Sequence, residues 1–266
     1  MRAAWIIAKN VIEESIRKKE IYVLFILSIA MMSIVAMASF FSLTGLVKYF
    51  IELSFLIVTY ITVIIAVVVG ARQVPTELNS RTIYPLMAKP LKRSEFIIGK
   101  WLGTSIISIF CFLVFEGIFI ILLFSKGSSV SGILIQGIFL HILQLMLISS
   151  IVICLSAFMT NAANVTVSIL YFILGHWIGK AISDVLVPLR GEPLTGLDKC
   201  GAFLAWILKS INYILPHLDY FDLSKKIVHQ WPPVPAWVII TVMIYALVYI
   251  SIFLLIGTLK FQRRQL

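Results

Sequence analysis

The sequence predicts an all-α integral membrane protein with six transmembrane helices, and three observations carry that prediction. The first is composition: 61% of the 266 residues are hydrophobic and only 13% charged, with a mean hydropathy of +1.04. A soluble domain of this size could not solvate such a surface. The second is clustering. The apolar residues gather at 21–41, 50–69, 101–124, 132–158, 164–180 and 237–259, close to the roughly 20 residues a helix needs to cross about 30 Å of hydrocarbon. The third is that these runs lack the period-two alternation of barrel strands. No internal repeat is evident, and the length suits a single membrane domain, 1–266, with no added soluble one.

Residues 1–20 precede the first run. On a helical wheel Ala4, Trp5, Ala8, Val11, Ile12 and Ile16 share one half, while Lys9, Asn10, Glu13, Glu14, Arg17 and Lys18 share the other; Ile6 is the exception. Such a helix is expected to lie in the membrane interface as an elbow that anchors the chain and touches a partner. Ala36-Met37-Ala38 resembles a signal-peptide cleavage site, but the leading segment carries Glu13, Glu14 and Glu20, so an uncleaved first span is expected.

Between the second and third runs, residues 72–100 form a polar island with six basic residues: Arg72, Arg81, Lys89, Lys92, Arg93 and Lys100. It has helix punctuation. Thr82 can cap orphan N–H groups, Pro85 falls in the first turn where its missing donor costs nothing, Leu86, Met87 and Ala88 continue the turn, and Pro90 stops it. The expected product is a stub of about two turns across the mouth of the two spans. A plain positive-inside loop with one capped turn fits these residues equally well.

Lys and Arg set the orientation. The N-terminal segment holds Arg2, Lys9, Arg17, Lys18 and Lys19, and the tail holds Lys260, Arg263 and Arg264. With the island these make fourteen of the 22 basic residues, on the side where six spans place both termini. The opposite side has Lys48, Lys126 and six in 180–234. Both termini and the island are therefore expected in the cytoplasm. The net charge of +10 reads as this bias plus contact with anionic lipid. Nucleic acid is not an expected partner, since no basic module stands free of the membrane.

Polar residues within the runs need partners. Glu116 lies deep in the third run. If the third and fourth runs form a hairpin turning near Ser128, His141 lies at matching depth, with Gln144 a turn deeper; a Glu116–His141 contact, extended by Gln144 and Gln136, is expected. It serves either as helix-to-helix glue or as a proton or substrate site. His176 and Lys180 fall at the outer end of the fifth run, where Gly175 and Gly179 form a small-x-x-x-small pair, and Glu52 begins the second run near water. The outer segment 181–234 is too long for a connector, and 202–215 interleaves Phe203, Leu204, Trp206, Ile207, Ile211 and Ile214 with Lys209, Ser210 and Asn212, as interfacial helices do. His217, Asp219, Asp222 and His229 match no metal-ligand spacing, and Pro216 marks a turn. Cys111, Cys154 and Cys200 form neither a disulfide framework nor a zinc motif. No metal site is expected, and with no nucleophile–base constellation neither is an enzyme. A secondary transporter would want an internal repeat and more intramembrane charge.

Glu77, Thr82-Ile83, Pro90, Arg93, Glu95 and Gly99-Lys100, taken together, resemble the signature of type 2 ABC transporter permeases: a Glu, a Gly-Thr-hydrophobic turn, a Leu-rich helix, a Pro, a basic pair and a Gly-Lys opening the third span. The likeness extends over the chain, from the interfacial helix through six spans to Ile214-Leu215-Pro216 and Phe221-Asp222-Leu223 in the outer segment. It is strongest to the multicopper-enzyme-maturation group, which includes the nitrous-oxide-reductase maturation permease. Arg81 stands where that pattern has Gly.

The resemblance implies a division of labour. The chain has no Gly-x-x-x-x-Gly-Lys-Ser/Thr loop, since Gly99-Lys100 lacks the upstream Gly and the following Ser/Thr. ATP and Mg2+ would bind a separate nucleotide-binding subunit, with no cofactor on this chain. The coupling helix would map to about 82–88, with Glu77, Arg81, Thr82, Ile83, Tyr84, Leu86, Met87 and Arg93 meeting the ATPase subunit. A second permease copy, the same or different, is implied, as is a prokaryotic inner membrane. The expected function is export or conformational change driven by that ATPase. The alternative is a non-transporting anchor that relays ATPase motion to an extracytoplasmic protein partner.

Overall fold

The computed structural model describes residues 2–18, 46–79, 93–125, 132–186, 216–229 and 231–263, with Tyr22, Phe25, Ile26, Ile29, Ala30 and Ser33 from the expected first span. Among them there is no strand. The elements are α1 (Arg2–Arg17), α2 (Leu46–Ala71), α3 (Gln73–Asn79), α4 (Arg93–Ser125), α5 (Gly132–Ser156), α6 (Asn161–Leu186), a 3-10 turn (Leu218–Phe221), α7 (Ser224–Val228) and α8 (Ala236–Arg263). Among the described residues four helical stretches are long and apolar enough to cross a membrane: Ile51–Leu78, Arg93–Phe124, Gly132–Ser156 and Ala236–Gln262. The expected fifth span opens with the shorter apolar stretch Asn161–Ile173, and the expected first span falls mostly outside the described residues.

Helix runs through the island from both sides. After a turn at Arg72 the second span continues as α3, which tolerates Pro75 because it falls in the first turn. The third span begins at Arg93, eight residues before its apolar run. At 33 residues α4 is about 50 Å long, well beyond the roughly 30 Å of hydrocarbon, and its charged residues Arg93, Glu95 and Lys100 all lie at the end that carries the island. The stub expected at 82–88 lies outside the described residues, as does 202–215.

The chain divides into two compact units. The first comprises Met1–Thr166 and Phe221–Leu266. Here α5 is the most enclosed of the four spanning stretches and α8 the least. One core sits at the α1 end, where Ile7, Val74, Phe96, Ile97, Ile153 and Phe261 bring together α1, α3, α4, α5 and α8. The Phe96 and Phe261 rings stack at 5.2 Å, and Trp101 Nε1 donates to the Met146 carbonyl at 3.0 Å. At the opposite end α7 packs on α2 and α5: Ile227 presses onto Gly137, where a Cβ would stand 2.6 Å from its Cδ1. Gln136 fastens the strap before α8 by donating to the Val234 carbonyl and accepting from its N–H, at 3.0 and 2.8 Å.

The second unit is Val167–Tyr220. Within it Tyr171 Oη donates to the Pro216 carbonyl at 2.7 Å, and His217 stacks on Tyr220. At Gly175 the nearest atom to an added Cβ is Leu218 Cδ1 at 3.7 Å, an ordinary contact, so among the described residues no helix packs closely on this glycine.

Candidate functional site

The residues that flank the 80–92 loop are held inward. Lys100, one turn and three residues into α4, is 3% exposed. Its Nζ forms an ion pair with Glu77 of α3 and donates to Gln73 Oε1 at 3.3 Å. Gln73 Nε2 donates in turn to the Val69 carbonyl, and the Phe96 ring lies 5.6 Å from the ammonium. A buried cation needs a carboxylate and further polar contacts to offset its desolvation, and here α3 supplies both. The two helices that enter and leave the loop are thereby locked together.

Arg93, the first residue of α4, reaches the end of α8. Its Nη1 donates to the carbonyls of Gln262 at 2.6 Å and Phe261 at 3.3 Å. The last carbonyls of a helix have no intrahelical partner and carry partial negative charge, so the guanidinium caps α8 while it ties the loop's exit to the final span.

The third attachment is α1. Ala4, Ile7, Ala8, Val11 and Ser15 are buried, a stripe pressed against α4 at Gly99 and Gly103. A Cβ at Gly99 would stand 2.7 Å from the Ala4 carbonyl oxygen and 2.8 Å from Ile7 Cβ; one at Gly103 would stand 2.6 Å from Val11 Cβ and 2.9 Å from the Ala8 oxygen. Four-residue spacing of small residues lets two helix backbones approach this closely. The helix expected to lie flat in the interface is thus also packed on the third span, with Trp5, Ile6 and Ile16 left exposed.

Of the residues expected to meet an ATPase subunit, Glu77 and Arg93 are placed and have these internal partners; Arg81, Thr82, Ile83, Tyr84, Leu86 and Met87 lie outside the described residues. The Glu77–Lys100 pairing was not anticipated: Glu77 stands well past the second apolar run and Lys100 directly before the third, and their opposite charge was the only signal. Gly103 was readable as the second member of Gly99-x-x-x-Gly103.

Inside the bundle His141 and Gln144 meet as expected, Nδ1 to Oε1 at 3.0 Å. The amide oxygen can only accept, so Nδ1 is the donor. On its other side His141 Nε2 lies 2.9 Å from Thr62 Oγ1, a hydroxyl that also meets the Val58 carbonyl at 2.7 Å. Thr62 was not anticipated; its only signal was a hydroxyl in mid-run.

The expected Glu116–His141 bond does not form. Phe112, one turn earlier on the same face of α4, holds that place, its ring 4.5 Å from the imidazole. The α4–α5 hairpin is therefore about one turn out of the register that a bend at Ser128 implies. Glu116 is 2% exposed, and among the described residues neither carboxylate oxygen has a hydrogen-bond partner. Gln136 is turned away to Val234 and does not extend the network. Among the described residues no group of three or more His, Cys, Asp or Glu side chains converges on one point.

Comparison with curated proteins found no match. A family model described as ABC-2 family transporter protein matches residues 5–266, nearly the whole chain. The chain thus belongs to the ABC-2 family of transporter proteins, as a multi-pass membrane permease component of an ABC transporter.

Proposed function

We propose that this permease takes force from a separate ATPase subunit through the 80–92 loop and passes it to the membrane bundle as a rigid-body motion. The observation that carries this reading is the inward clamping of both loop flanks. Glu77–Lys100 joins α3 to α4, Arg93 joins α4 to α8, and the Ile7–Phe96–Ile97–Phe261 core adds α1. A push on the loop then moves several helices at once instead of bending one of them. In this reading Arg81, Thr82, Ile83, Tyr84, Leu86 and Met87 form the docking surface, and ATP and Mg2+ sit on the partner.

Family membership supports an ATPase partner and a paired permease arrangement in general. Six spans, cytoplasmic termini, a prokaryotic inner membrane, a single permease domain with an outer segment at 181–234, and kinship with the multicopper-enzyme-maturation group extend that reading from the sequence. The activity is export or conformational work across the membrane.

A second reading, a relay to an extracytoplasmic protein, draws support from α8. This helix of 28 residues is capped by Arg93 at one end and follows the Gln136-fastened strap at the other, so motion of the loop reaches the outer segment directly. Cargo-stimulated ATPase activity separates the two readings, because a relay responds only to its protein partner.

The test is co-expression with a nucleotide-binding subunit, comparing wild type with a chain whose residues 82–88 are replaced by a Gly/Ser linker. Wild type should co-purify and the replacement should not. Equal recovery of both would overturn the proposal.

A further inference from the structure

Residues 231–235, Trp-Pro-Pro-Val-Pro, form the strap that leads into α8. Three prolines leave it only two backbone N–H groups, and both are used. Trp231 donates to the Lys226 carbonyl at 3.0 Å, and Val234 donates to Gln136 Oε1 at 2.8 Å. A backbone with no free donor can leave bulk water at little cost. The side chains match it. Trp231 and the nearby Trp237 are 56% and 69% exposed, the three proline residues are exposed as well, and no charged residue occurs from Trp231 to Leu259.

Length sets the depth of the strap. Lys260 is the first charge along α8, and from there back to Trp237 the helix rises about 35 Å. With Lys260 at one edge of the roughly 30 Å of hydrocarbon, Trp237 stands about 5 Å beyond the other edge, inside the headgroup layer of a membrane about 40–45 Å thick. At the usual tilt of about 20° the overshoot is about 3 Å. The exposed apolar residues of α8, Ile240, Ile244, Leu247 and Leu255 among them, continue the same uncharged surface into the hydrocarbon. A protein partner would find no free backbone donor and no charged side chain on the strap, whereas the boundary between headgroups and acyl chains requires neither. Indole rings, apolar with one polar N–H, favour that boundary.

We infer that the strap is a lipid-binding surface, seated at the headgroup–acyl boundary of the leaflet opposite α1, with Trp231 and Trp237 as its two anchors. Gln136 ties α5 to the same strap, so the leaflet holds the ends of α5 and α8 at one depth. Arg93 holds the other end of α8. This holds for either orientation of the chain and does not depend on the ATPase reading.

Tryptophan emission of the full chain in phosphatidylcholine liposomes tests the inference. The difference between wild type and Trp231→Phe/Trp237→Phe is the emission of the two anchors. Lipids brominated on the acyl carbons nearest the headgroup should quench that emission several-fold more strongly than lipids brominated at the chain ends, and more strongly than aqueous acrylamide. Phenylalanine keeps a ring at both exposed positions, and Trp231→Phe and Trp237→Phe alone should each remove a share of the headgroup-proximal quenching, so the reading survives should the double variant fail to fold. Stronger quenching by acrylamide (a strap in water), stronger quenching from the chain ends (a strap buried in hydrocarbon), or protection from all three quenchers (a strap covered by protein) would each overturn it.

Discussion

Replacing Gly103 with alanine adds one methyl group, and its surroundings are known. The new Cβ falls 2.6 Å from Val11 Cβ and 2.9 Å from the Ala8 carbonyl oxygen. Non-bonded carbons prefer about 3.5–4.0 Å, so α1 must retreat by about 1 Å. Neither obstacle is the far end of a flexible side chain that could swing away. Overpacking of this kind costs about 1–3 kcal/mol, against which alanine regains up to about 1 kcal/mol of helix propensity over glycine. The net expectation is a loss of about 1–2 kcal/mol, taken at the α1–α4 contact.

Gly117 on the same helix is the internal control, since a Cβ there meets nothing within 4 Å. Gly117→Ala should be neutral or gain up to about 1 kcal/mol. Two measurements in one detergent decide: thermal melting of the purified chain, and tryptic cleavage after Lys9 and Arg17, which are protected while α1 is docked as a helix. Gly103→Ala should melt lower and cleave faster. If Gly103→Ala and Gly117→Ala melt alike with no gain in cleavage, the close packing of α1 on α4 is refuted.

Three further outcomes follow from the same geometry. Lys100→Met removes the buried ammonium that meets Glu77 and Gln73 and should cost up to about 3–5 kcal/mol, while Glu77→Gln/Lys100→Met should cost clearly less than the two single changes added together, as a double-mutant cycle on melting would show. Arg93→Ala removes two charge-assisted bonds to the α8 carbonyls, worth about 1.5–3 kcal/mol each at most; faster proteolysis of the C-terminal tail should report the freed helix end. Thr62→Val should lower stability by about 0.6 kcal/mol, the usual worth of one interhelical bond in a membrane, whereas Glu116→Gln, which breaks no hydrogen bond, should leave melting unchanged, so that any lost transport in that variant reports a role in transport itself.

Much of this was legible in the residues. Apolar runs are a one-dimensional signal, and four of the six gave spanning helices within a few residues at most boundaries. The exceptions were the flanks of the island: polar Gln73, Glu77, Arg93 and Lys100 look like loop, yet they are helical, with Lys100 meeting Gln73 and Glu77 and Arg93 meeting the α8 carbonyls. His141–Gln144 was legible because three-residue spacing on a helix guarantees proximity. Glu116–His141 was not, because hairpin depth depends on where the bend falls, and an error of one turn replaces a carboxylate by Phe112. Thr62 was invisible for a similar reason, as which helix faces His141 is a matter of bundle topology, which hydropathy does not encode. Gly99 and Gly103 could be found by spacing, but their partner could not, since α1 reads as an interfacial helix whether or not it is packed.

The signature residues that carry the family resemblance therefore divide by the direction in which they act. Glu77, Arg93, Gly99 and Lys100 act inward, on α3, α8 and α1, whereas residues 82–88 have the docking role in the proposed mechanism. Loss of transport cannot separate the two groups, since a loosened clamp and a lost docking surface both uncouple ATP hydrolysis from the bundle. Stability can. Substitutions in the clamp should lower the melting temperature of the permease on its own, by several degrees for each 1–2 kcal/mol of the roughly 5–15 kcal/mol that holds a typical domain, and they should spare partner binding once the fold is rescued by lower temperature. Substitutions at Thr82, Ile83, Leu86 or Met87 should leave that melting temperature unchanged and abolish co-purification of the ATPase subunit. If both groups instead lower stability and binding in parallel, the loop is part of the folded core and force must enter the permease elsewhere, with the exposed polar face of α1 next in line.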